Sequence, residues 1–469
     1  MNGLEISELK LSEVLHDNED FRTDSEYFSK SNLEKLAVLE SKGFDYVGDF
    51  AFVTDGIHES IDFCLESNIN LISAKSPKEN YFDLSSNYHI LKEQHEKNTR
   101  TALKVGDVIV SSVGTIGNCA VVDETILPAN SDRHVGIIRT NESYLSHFLS
   151  TFLLGKYGRF QTLRESTGNV QLNLFIYRIR KLKIAKLSFE FQMRIEELVK
   201  AAHEKLEQSK RLYAEAESLL LGELGLRDWQ PTNENVAVKS FKESFLFSGR
   251  LDAEFFQLKY DELDKILKTH ESTNLRSLIS NYSTGFPFDS GSYVKNGISL
   301  IRINNIKRGE LDLSNVATIP IEDSKLSPKD VVKENDLLLS MSGTVGNCCK
   351  VPKGTKAIIN QRILRFSVEN FNEDALALII NSPIVRMQLE RIGTGAVQTN
   401  ISSGDIFKLQ IPLLDKTFQQ QISNMIQECF TFKDESKRLL ELAKRGVELA
   451  IEQDEQAALE LIGEKAANL

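Results

Sequence analysis

"SSVGTIGNCAVV" (111–122) and "SMSGTVGNCCKV" (340–351) are two copies of one unusual phrase, 229 residues apart in a chain of 469. In each copy two glycines bracket a hydroxyl residue and a β-branched residue, and Asn and Cys follow. Glycine between two strands supplies a positive φ angle or permits close packing, so the phrase predicts a tight turn. Its repetition raises the question of how far the duplication extends.

The duplication covers nearly the whole chain. The segment 21–28 (FRTDSEYF) matches 249–256 (GRLDAEFF), and 168–173 (GNVQLN) matches 395–400 (GAVQTN). The order of the blocks is kept, and their offset stays between 227 and 229 residues. One unit of roughly 170 residues has therefore been duplicated, and a period this long makes two globular domains rather than a solenoid.

Short β-branched runs alternate with turn residues inside each unit and predict strands, for example 107–113 (DVIVSSV) and 357–368 (AIINQRILRFSV). Helical segments accompany them, such as 373–392 (EDALALIINSPIVRMQLERI). The predicted fold class is therefore α+β, with a mostly antiparallel sheet in each unit. A barrel-like closure of that sheet is an alternative.

A long helical segment follows each unit, from about residue 191 to 222 and from about 418 to 464. Apolar or small residues recur there in steps of three and four, as at Ile195, Leu198 and Ala202, and the second segment keeps the same register. A helix with one narrow apolar seam packs against another helix, so we expect the two to pair. Thirty residues of helix span roughly 45 Å, which suits a spacer. Separate packing of each helix on its own domain is the alternative.

These patterns divide the chain into five predicted parts. They are a first domain (1–190), a central spacer helix (191–226), a linker (227–248), a second domain (249–413) and a C-terminal spacer helix (414–469). The boundary after the first helix depends on the segment GELGLRDWQP, whose glycines and proline end a helix.

Composition is that of an ordinary globular protein, with 41% hydrophobic and 26% charged residues. No apolar run approaches the ~18 residues of a membrane span, and the first residues do not read as a secretory signal. The five cysteines form no C-x-x-C pair, so we expect a cytoplasmic location. Taken alone, the net charge of −11 argues against a nucleic-acid partner. Because acidic residues concentrate near the two ends of the chain, total charge does not decide the partner.

Motifs for catalysis are missing from the sequence. It contains no N-P-P-(F/Y) or D-P-P-Y motif, no Walker A loop, no H-E-x-x-H and no paired Cys/His pattern. Asp24 with Glu26 and Asp252 with Glu254 are paired carboxylates, but their repetition beside aromatic residues favours a structural or docking role over acid–base catalysis. Cys119 and Cys348 are expected to be small buried hydrophobes.

The order of these motifs resembles a known family. Each unit opens with R-x-D-x-E-(Y/F)-F and has G-T-x-G-N in its middle, and LGELGLRDWQP joins the units. Over nearly the full chain this resembles the DNA-specificity (S) subunit of Type I restriction–modification systems. The resemblance implies two target-recognition domains, each reading half of a bipartite double-stranded DNA site. It also implies that the two helices form an antiparallel coiled coil, which gives the chain pseudo-twofold symmetry.

The resemblance implies partners as well. They are two methyltransferase (modification) subunits, which use S-adenosylmethionine, and motor-nuclease (restriction) subunits, which use ATP and Mg²⁺. This chain would then hold no cofactor or metal, and it would be a recognition subunit for phage defence rather than an enzyme. The alternatives are a self-contained DNA methyltransferase or nuclease, an assembly adaptor that binds no DNA, and a DNA reader in a related defence or fused system.

Side chains that read base edges are Arg or Lys for guanine and Asn or Gln for adenine, so we expect them on loops that differ between the domains. For the first domain the predicted DNA-contacting residues are His58, Lys75, Lys78, Asn80, Arg133 and His134. For the second domain they are Arg302, Asn304, Asn305, Lys307, Arg308, Gln361 and Arg362. The G-T-x-G-N phrases are the same in both copies, so we expect structural turns there, with phosphate contact through backbone N–H groups as the alternative.

Overall fold

The computed structural model describes residues 8–15, 18, 20–85, 87–168, 170–234, 236–393 and 400–466. The chain forms two compact units: the first is Met1–Glu207 with Phe432–Leu469, and the second is Gln208–Thr431. The division runs through both long helices, so each unit contains a part of each helix. The GAVQTN phrase lies outside the described residues except for Asn400.

In the first unit the described residues form nine strands. They are β1 (Phe44–Tyr46), β2 (Ala51–Asp55), β3 (Asn70–Ile72), β4 (Tyr88–His89), β5 (Val108–Ser111), β6 (Cys119–Val121), β7 (Ala129–Ser131), β8 (Val135–Thr140) and β9 (Lys183–Ala185). A four-stranded antiparallel sheet has the order β2-β8-β5-β6. A three-stranded sheet has the order β4-β3-β7, in which β3 and β7 are parallel, and β1 pairs with β9.

The second unit has the same topology. Its described strands are β10 (Ser272–Asn274), β11 (Ile279–Ser283), β12 (Ile298–Ile301), β13 (Ala317–Ile319), β14 (Leu337–Ser340), β15 (Cys348–Lys350), β16 (Ala357–Ile359), β17 (Ile363–Val368) and β18 (Gln410–Pro412). The sheets β11-β17-β14-β15 and β13-β12-β16 and the pair β10-β18 repeat every pairing of the first unit, nine strands later. The parallel pair also recurs, as β12 with β16. The predicted duplication is therefore confirmed at the level of sheet topology.

Helices and short turns of helix connect the strands. The helices are α1 (Leu11–Leu15), α2 (Lys30–Ser41), α3 (Val47–Phe50), α4 (Lys92–Lys97), α5 (Ser146–Leu154), α6 (Lys156–Glu165), α7 (Ile176–Arg180), α8 (Phe189–Glu223), α9 (Phe245–Ser248), α10 (Leu258–Leu267), α11 (Ile321–Ser324), α12 (Glu373–Asn381), α13 (Pro383–Gly393), α14 (Ser403–Ile406), α15 (Lys416–Glu452) and α16 (Glu455–Ala466). Turns of 3-10 helix lie at Glu124–Ile126, Ala253–Phe256, Leu275–Leu278, Ser290–Ser292, Ile303–Asn305 and Pro328–Asp330.

The four-stranded sheet of each unit lies between two apolar layers. In β5, Val108 and Val110 pack in the layer that contains Phe148 of α5, whereas Ile109 packs with Ile72 of the three-stranded sheet. Successive strand residues point to opposite faces, so a strand covered on both sides is a continuous apolar run. This explains why the VIVS run has no polar alternation. The predicted α+β class is confirmed.

In the first unit, α8 and α15 pack against each other in antiparallel directions. A Cβ on Gly446 would lie 3.4 Å from the Ile195 side chain, and Lys205 Nζ lies 2.6 Å from Glu435 Oε2, so the residue numbers descend along one helix as they rise along the other. Ile195 and Ala202 are buried in the same core as the facing residues of α15. The seam predicted from steps of three and four is thus confirmed in this unit.

In the second unit, the other ends of α8 and α15 also share a core. Ser209 Oγ lies 3.2 Å from Cys429 Sγ, and Ala216 and Leu220 are buried in one cluster with Ile422. Small residues at these seam positions permit a short distance between the helices. The predicted helix pair is therefore confirmed within each unit.

The C-terminal spacer predicted as one helix over 414–469 needs correction. The first of its helices, α15, ends at Glu452, and α16 begins at Glu455. Asp454 accepts a hydrogen bond from the Ala457 N–H at 2.8 Å and so begins a new helix. Ile462 of α16 is buried in the core of the first unit. The last segment is therefore part of the first unit's core and does not lengthen the spacer.

Candidate nucleic-acid interface

The first unit has an open cleft of about 940 Å³, the first cleft. Most of its walls come from residues 57–63, 73–78, 113–115 and 132–134, which follow β2, β3, β5 and β7. Loops that follow the strands of packed sheets are where rigid scaffolds place binding residues. Four separate parts of the sequence therefore meet in one concave surface.

The second unit has an equivalent cleft of about 540 Å³, the second cleft. Its walls come from residues 302–307, 343–347 and 360–362, which follow β12, β14 and β16. These strands are the duplicates of β3, β5 and β7. The two clefts are therefore built from equivalent segments of the two units.

The loops after β3 and β12 have the same hairpin geometry. Lys78 and Lys307 donate their backbone N–H groups across the turn at 2.8 and 2.9 Å. Two residues later the backbone is left-handed in both, with φ of 64° at Asn80 and 78° at Gly309. Asparagine and glycine are the residues that tolerate this region best. Lys78 and Lys307 are thus equivalent cations, one in each cleft.

The repeated Gly-Thr phrase forms the turn after β5 and after β14. Gly114 and Gly117 have φ of 73° and 78°, and Gly343 and Gly346 have φ of 67° and 86°. Gly117 also packs closely on α6, because a Cβ there would lie 2.6 Å from Thr162 Oγ1. The predicted structural turn is confirmed, and its Gly-Thr pair lines each cleft.

Two equivalent arginines hold this turn, and the sequence reasoning missed them. Arg159 of α6 donates to Ile116 O at 3.1 Å and to Asn118 Oδ1 at 2.8 Å. Arg386 of α13 donates to Asn347 Oδ1 at 3.4 Å. The two arginines lie 227 residues apart, which is the offset of the repeat, so alignment of the two copies contains the signal that identifies them.

A close backbone approach fixes a second pair of segments. A Cβ on Gly56 would lie 2.1 Å from Asp132 O, and a Cβ on Gly285 would lie 2.0 Å from Asn360 O. Only glycine therefore allows the segments after β2 and β11 to reach the connections β7–β8 and β16–β17.

Five of the six residues predicted for the first domain line the first cleft. They are His58, Lys75, Lys78, Arg133 and His134. His58 Nε2 lies 2.5 Å from Asp55 Oδ2. His134 Nδ1 lies 3.3 Å from Asp132 Oδ2. Two carboxylates, those of Asp132 and Glu59, line this cleft together with the cations.

Asn80 is the exception, because it is buried and does not line the cleft. Its amide nitrogen donates to Thr151 Oγ1 at 3.3 Å, and its amide oxygen accepts from the hydroxyl of Ser150. The Nε2 atom of His203 on α8 lies 2.6 Å from the backbone carbonyl oxygen of Asn80. The prediction that Asn80 contacts DNA needs correction, since its side chain attaches the hairpin to α5.

Five of the seven residues predicted for the second domain line the second cleft. They are Arg302, Asn304, Lys307, Gln361 and Arg362. Asn305 is only 2% exposed; its amide accepts from the Arg302 N–H and donates to Asp312 O, both at 2.9 Å. Arg308 forms an ion pair with Glu217 of α8 at 2.6 Å. Asn305 therefore stabilises the hairpin and does not present its side chain to DNA, which corrects that prediction, whereas Arg308 is exposed and its contact with DNA stays a prediction.

The second cleft combines guanidinium and amide groups. Arg302 and Arg362 supply the guanidinium groups, and Asn304 and Gln361 supply amides. Arg302 donates to Asn315 O at 3.3 Å, which limits the positions its side chain adopts. Forked donors and amides are the groups that pair with guanine and adenine edges in the major groove.

The R-x-D-x-E-(Y/F)-F motif has a structural role in both units. The guanidinium of Arg22 pairs with Asp24 at 2.8 Å and lies 4.5 Å from the Tyr27 ring centroid. Arg250 pairs with Asp252 in the same way. These carboxylates bind arginines of their own motif, in agreement with the predicted structural role.

The cysteines of the repeated phrase are buried, as predicted. Burial raises the pKa of the Cys119 thiol to about 12, so it stays protonated near neutral pH. Within the described ranges, no group of three or more His, Cys, Asp or Glu side chains is placed to hold a metal ion. No helix in that part of the chain has the length and apolarity needed to cross a membrane.

Comparison with known proteins gives two curated relatives, and no family model matches the chain. The specificity subunit of the Type I restriction enzyme EcoBI from Escherichia coli is 26% identical over 213 residues, which cover 42% of this chain and 44% of the relative. The specificity subunit of the Type I restriction enzyme MjaVIII from Methanocaldococcus jannaschii is 22% identical over 223 residues, 45% of this chain and 52% of the relative.

Among solved structures, the S subunit of a Type I restriction–modification system from M. genitalium aligns over 87% of this chain and 94% of its own, with a TM-score of 0.40 and 10% identity. The chain spans about half the length of the curated relatives it matches. The resemblance to Type I specificity subunits is confirmed by those relatives.

Proposed function

We propose that this chain is the DNA-recognition subunit of a Type I restriction–modification complex, and that each of its clefts reads one half of a bipartite double-stranded site. One observation supports this above all: the two clefts have equivalent backbones but different side chains. Ser73 and Lys75 of the first cleft correspond to Arg302 and Asn304 of the second. A shared scaffold with different base-reading groups is what two unlike half-sites require.

The partners belong to the same proposal. Two methyltransferase subunits would supply S-adenosylmethionine chemistry and much of the contact with phosphates, and motor-nuclease subunits would use ATP and Mg²⁺. The net charge of −11 is then tolerable, because base contacts specify a sequence more than they contribute affinity. This chain would itself catalyse nothing and would act in the cytoplasm.

The paired helices would set the gap between the half-sites. Insertion of one heptad at equivalent points of α8 and α15 adds roughly 10 Å of helix, which is about three base pairs. We expect the gap to lengthen while both half-sites stay unchanged. Altered half-sites would refute the spacer role.

Footprinting tests the proposal directly. The complex of this chain with its modification subunits should protect two short patches of duplex separated by an unprotected gap. An adaptor that binds no DNA would protect no such site. The purified chain should neither bind S-adenosylmethionine nor cleave DNA, and either activity would support the self-contained enzyme instead.

A further inference from the structure

An exposed aromatic pair lies in the first cleft. Phe63 and Tyr88 are 61% and 59% exposed, although both side chains are large and apolar. Their ring centroids are 4.8 Å apart, with an interplanar angle of 40°. Both line the cleft together with Arg133 and His134. An exposed aromatic pair among cations is typical of a binding surface rather than of a core.

Strand pairing fixes the position of this pair. Tyr88 of β4 lies opposite Leu71 of β3, and Phe63 forms an antiparallel bridge with Ile90. Leu71 and Ile90 are buried in one apolar cluster. The backbone under both rings is therefore held in place, while the rings themselves face the cleft.

The second cleft has no such pair. The residue opposite Leu300 of β12 is Ala317. Ala317 is therefore the equivalent of Tyr88. None of the described residues that line the second cleft is aromatic. Phe286 and Phe288 precede β12 in the chain, but they pack in an apolar cluster with Leu300. The difference is therefore a property of the first cleft alone.

We propose that Phe63 and Tyr88 contact the 5-methyl group of a thymine in the half-site that the first cleft reads. The inference rests on the proposed function. Phenylalanine has no donor or acceptor for a base edge, and the thymine methyl is the apolar group of the major groove. Stacking on a base would require the duplex to unstack, whereas contact with a methyl group leaves it intact.

Replacement of single thymines by uracil removes only the methyl group and so tests the inference. The wild-type complex should lose about fourfold in affinity at one position of the first half-site, in proportion to one buried methyl group. The Phe63→Ala, Tyr88→Ala double variant should bind thymine and uracil at that position equally. Phe52→Ala is the matched control, because Phe52 is exposed on the same unit but does not line the cleft.

The outcomes separate this inference from the proposed function. A wild-type complex that protects no bipartite site overturns both. Site-specific binding with an undiminished uracil penalty in the double variant overturns the inference alone, and so does a first half-site without an A·T pair. For this test 2-aminopurine replaces a DNA base next to the position that Phe63 and Tyr88 contact. A rise in its fluorescence indicates an unstacked base and overturns the methyl contact in favour of stacking.

Discussion

The two clefts differ in chemistry while their backbones agree. The first cleft joins cations and imidazoles with two carboxylates and an exposed aromatic pair. The second cleft is smaller, and its charged lining residues are Arg302, Lys307 and Arg362. The two units share the close glycine contacts and the arginines that hold the Gly-Thr turn. The duplicated framework therefore fixes the position of each cleft, and in the proposed function a few loop side chains supply selectivity.

The largest expected effect follows from the close glycine contacts. Gly285→Ala would place a Cβ 2.0 Å from Asn360 O at a φ of 79°. We therefore expect the free energy of unfolding to fall by about 3 kcal/mol, and binding at the second half-site to weaken by a similar amount. Gly56→Ala should affect the first half-site in the same way. Urea denaturation and half-site footprints measure both. Gly354→Ala is the control, since Gly354 has the same φ of 79° but an added Cβ would meet nothing within 4 Å, and the residue does not line the cleft. Equal effects of Gly285→Ala and Gly354→Ala would show that the close contact with Asn360 is not the cause.

A side chain of one cleft should affect one half-site. Arg302→Ala should cost about 2 kcal/mol at a guanine of the second half-site and leave the first half-site unchanged, because in the proposed function each cleft reads its own half-site. Titration of DNA with single-base changes measures this. A uniform loss on all DNA would mean that Arg302 contacts only phosphate.

Acid should destabilise the first unit through His147 of α5. Burial first, then repulsion from His203 and Lys200, lowers the pKa of His147 to about 4. An unfolded histidine titrates near 6.5. As the pH falls from 7 to 5, His147 therefore binds a proton in the unfolded chain but not in the folded unit. The free energy of unfolding should fall by up to about 1.8 kcal/mol over that range.

His147→Leu should flatten that pH dependence. At the equivalent position of α12 the second unit has Asp374, which pairs with Lys350 at 2.6 Å, so the histidine effect belongs to the first unit. The sole tryptophan, Trp229, packs against the core of the second unit and follows that unit separately, while circular dichroism follows the whole chain. An unchanged pH dependence in His147→Leu would contradict this prediction.

The smallest expected effect is sequence-independent. Lys78 and Lys307 occupy equivalent hairpin positions, so we expect both to contact phosphate. Alanine at either position should weaken binding to all DNA uniformly and lower the salt slope by about 1. Binding titrations at several salt concentrations check this. Loss confined to one base pair would show base reading instead.

The sequence alone predicted the duplication and the helix seam, because both depend on repeated local patterns, and ten of the thirteen residues predicted to contact DNA line the clefts. It did not predict the role of Asn80 or Asn305. Whether an amide faces a cleft or folds back is decided by remote partners such as Thr151 and by the left-handed φ angle at Asn80. The end of α15 was missed for a similar reason, since Asp454 begins a new helix inside a continuous polar segment.

Sequencing of methylated bases in cells that carry this chain with its modification subunits tests whether two unlike clefts read one bipartite site. We expect one motif of two unlike halves with a fixed gap, and relaxation at a single position of one half in Arg302→Ala. A continuous motif without a gap, or relaxation of both halves by that one substitution, would contradict it.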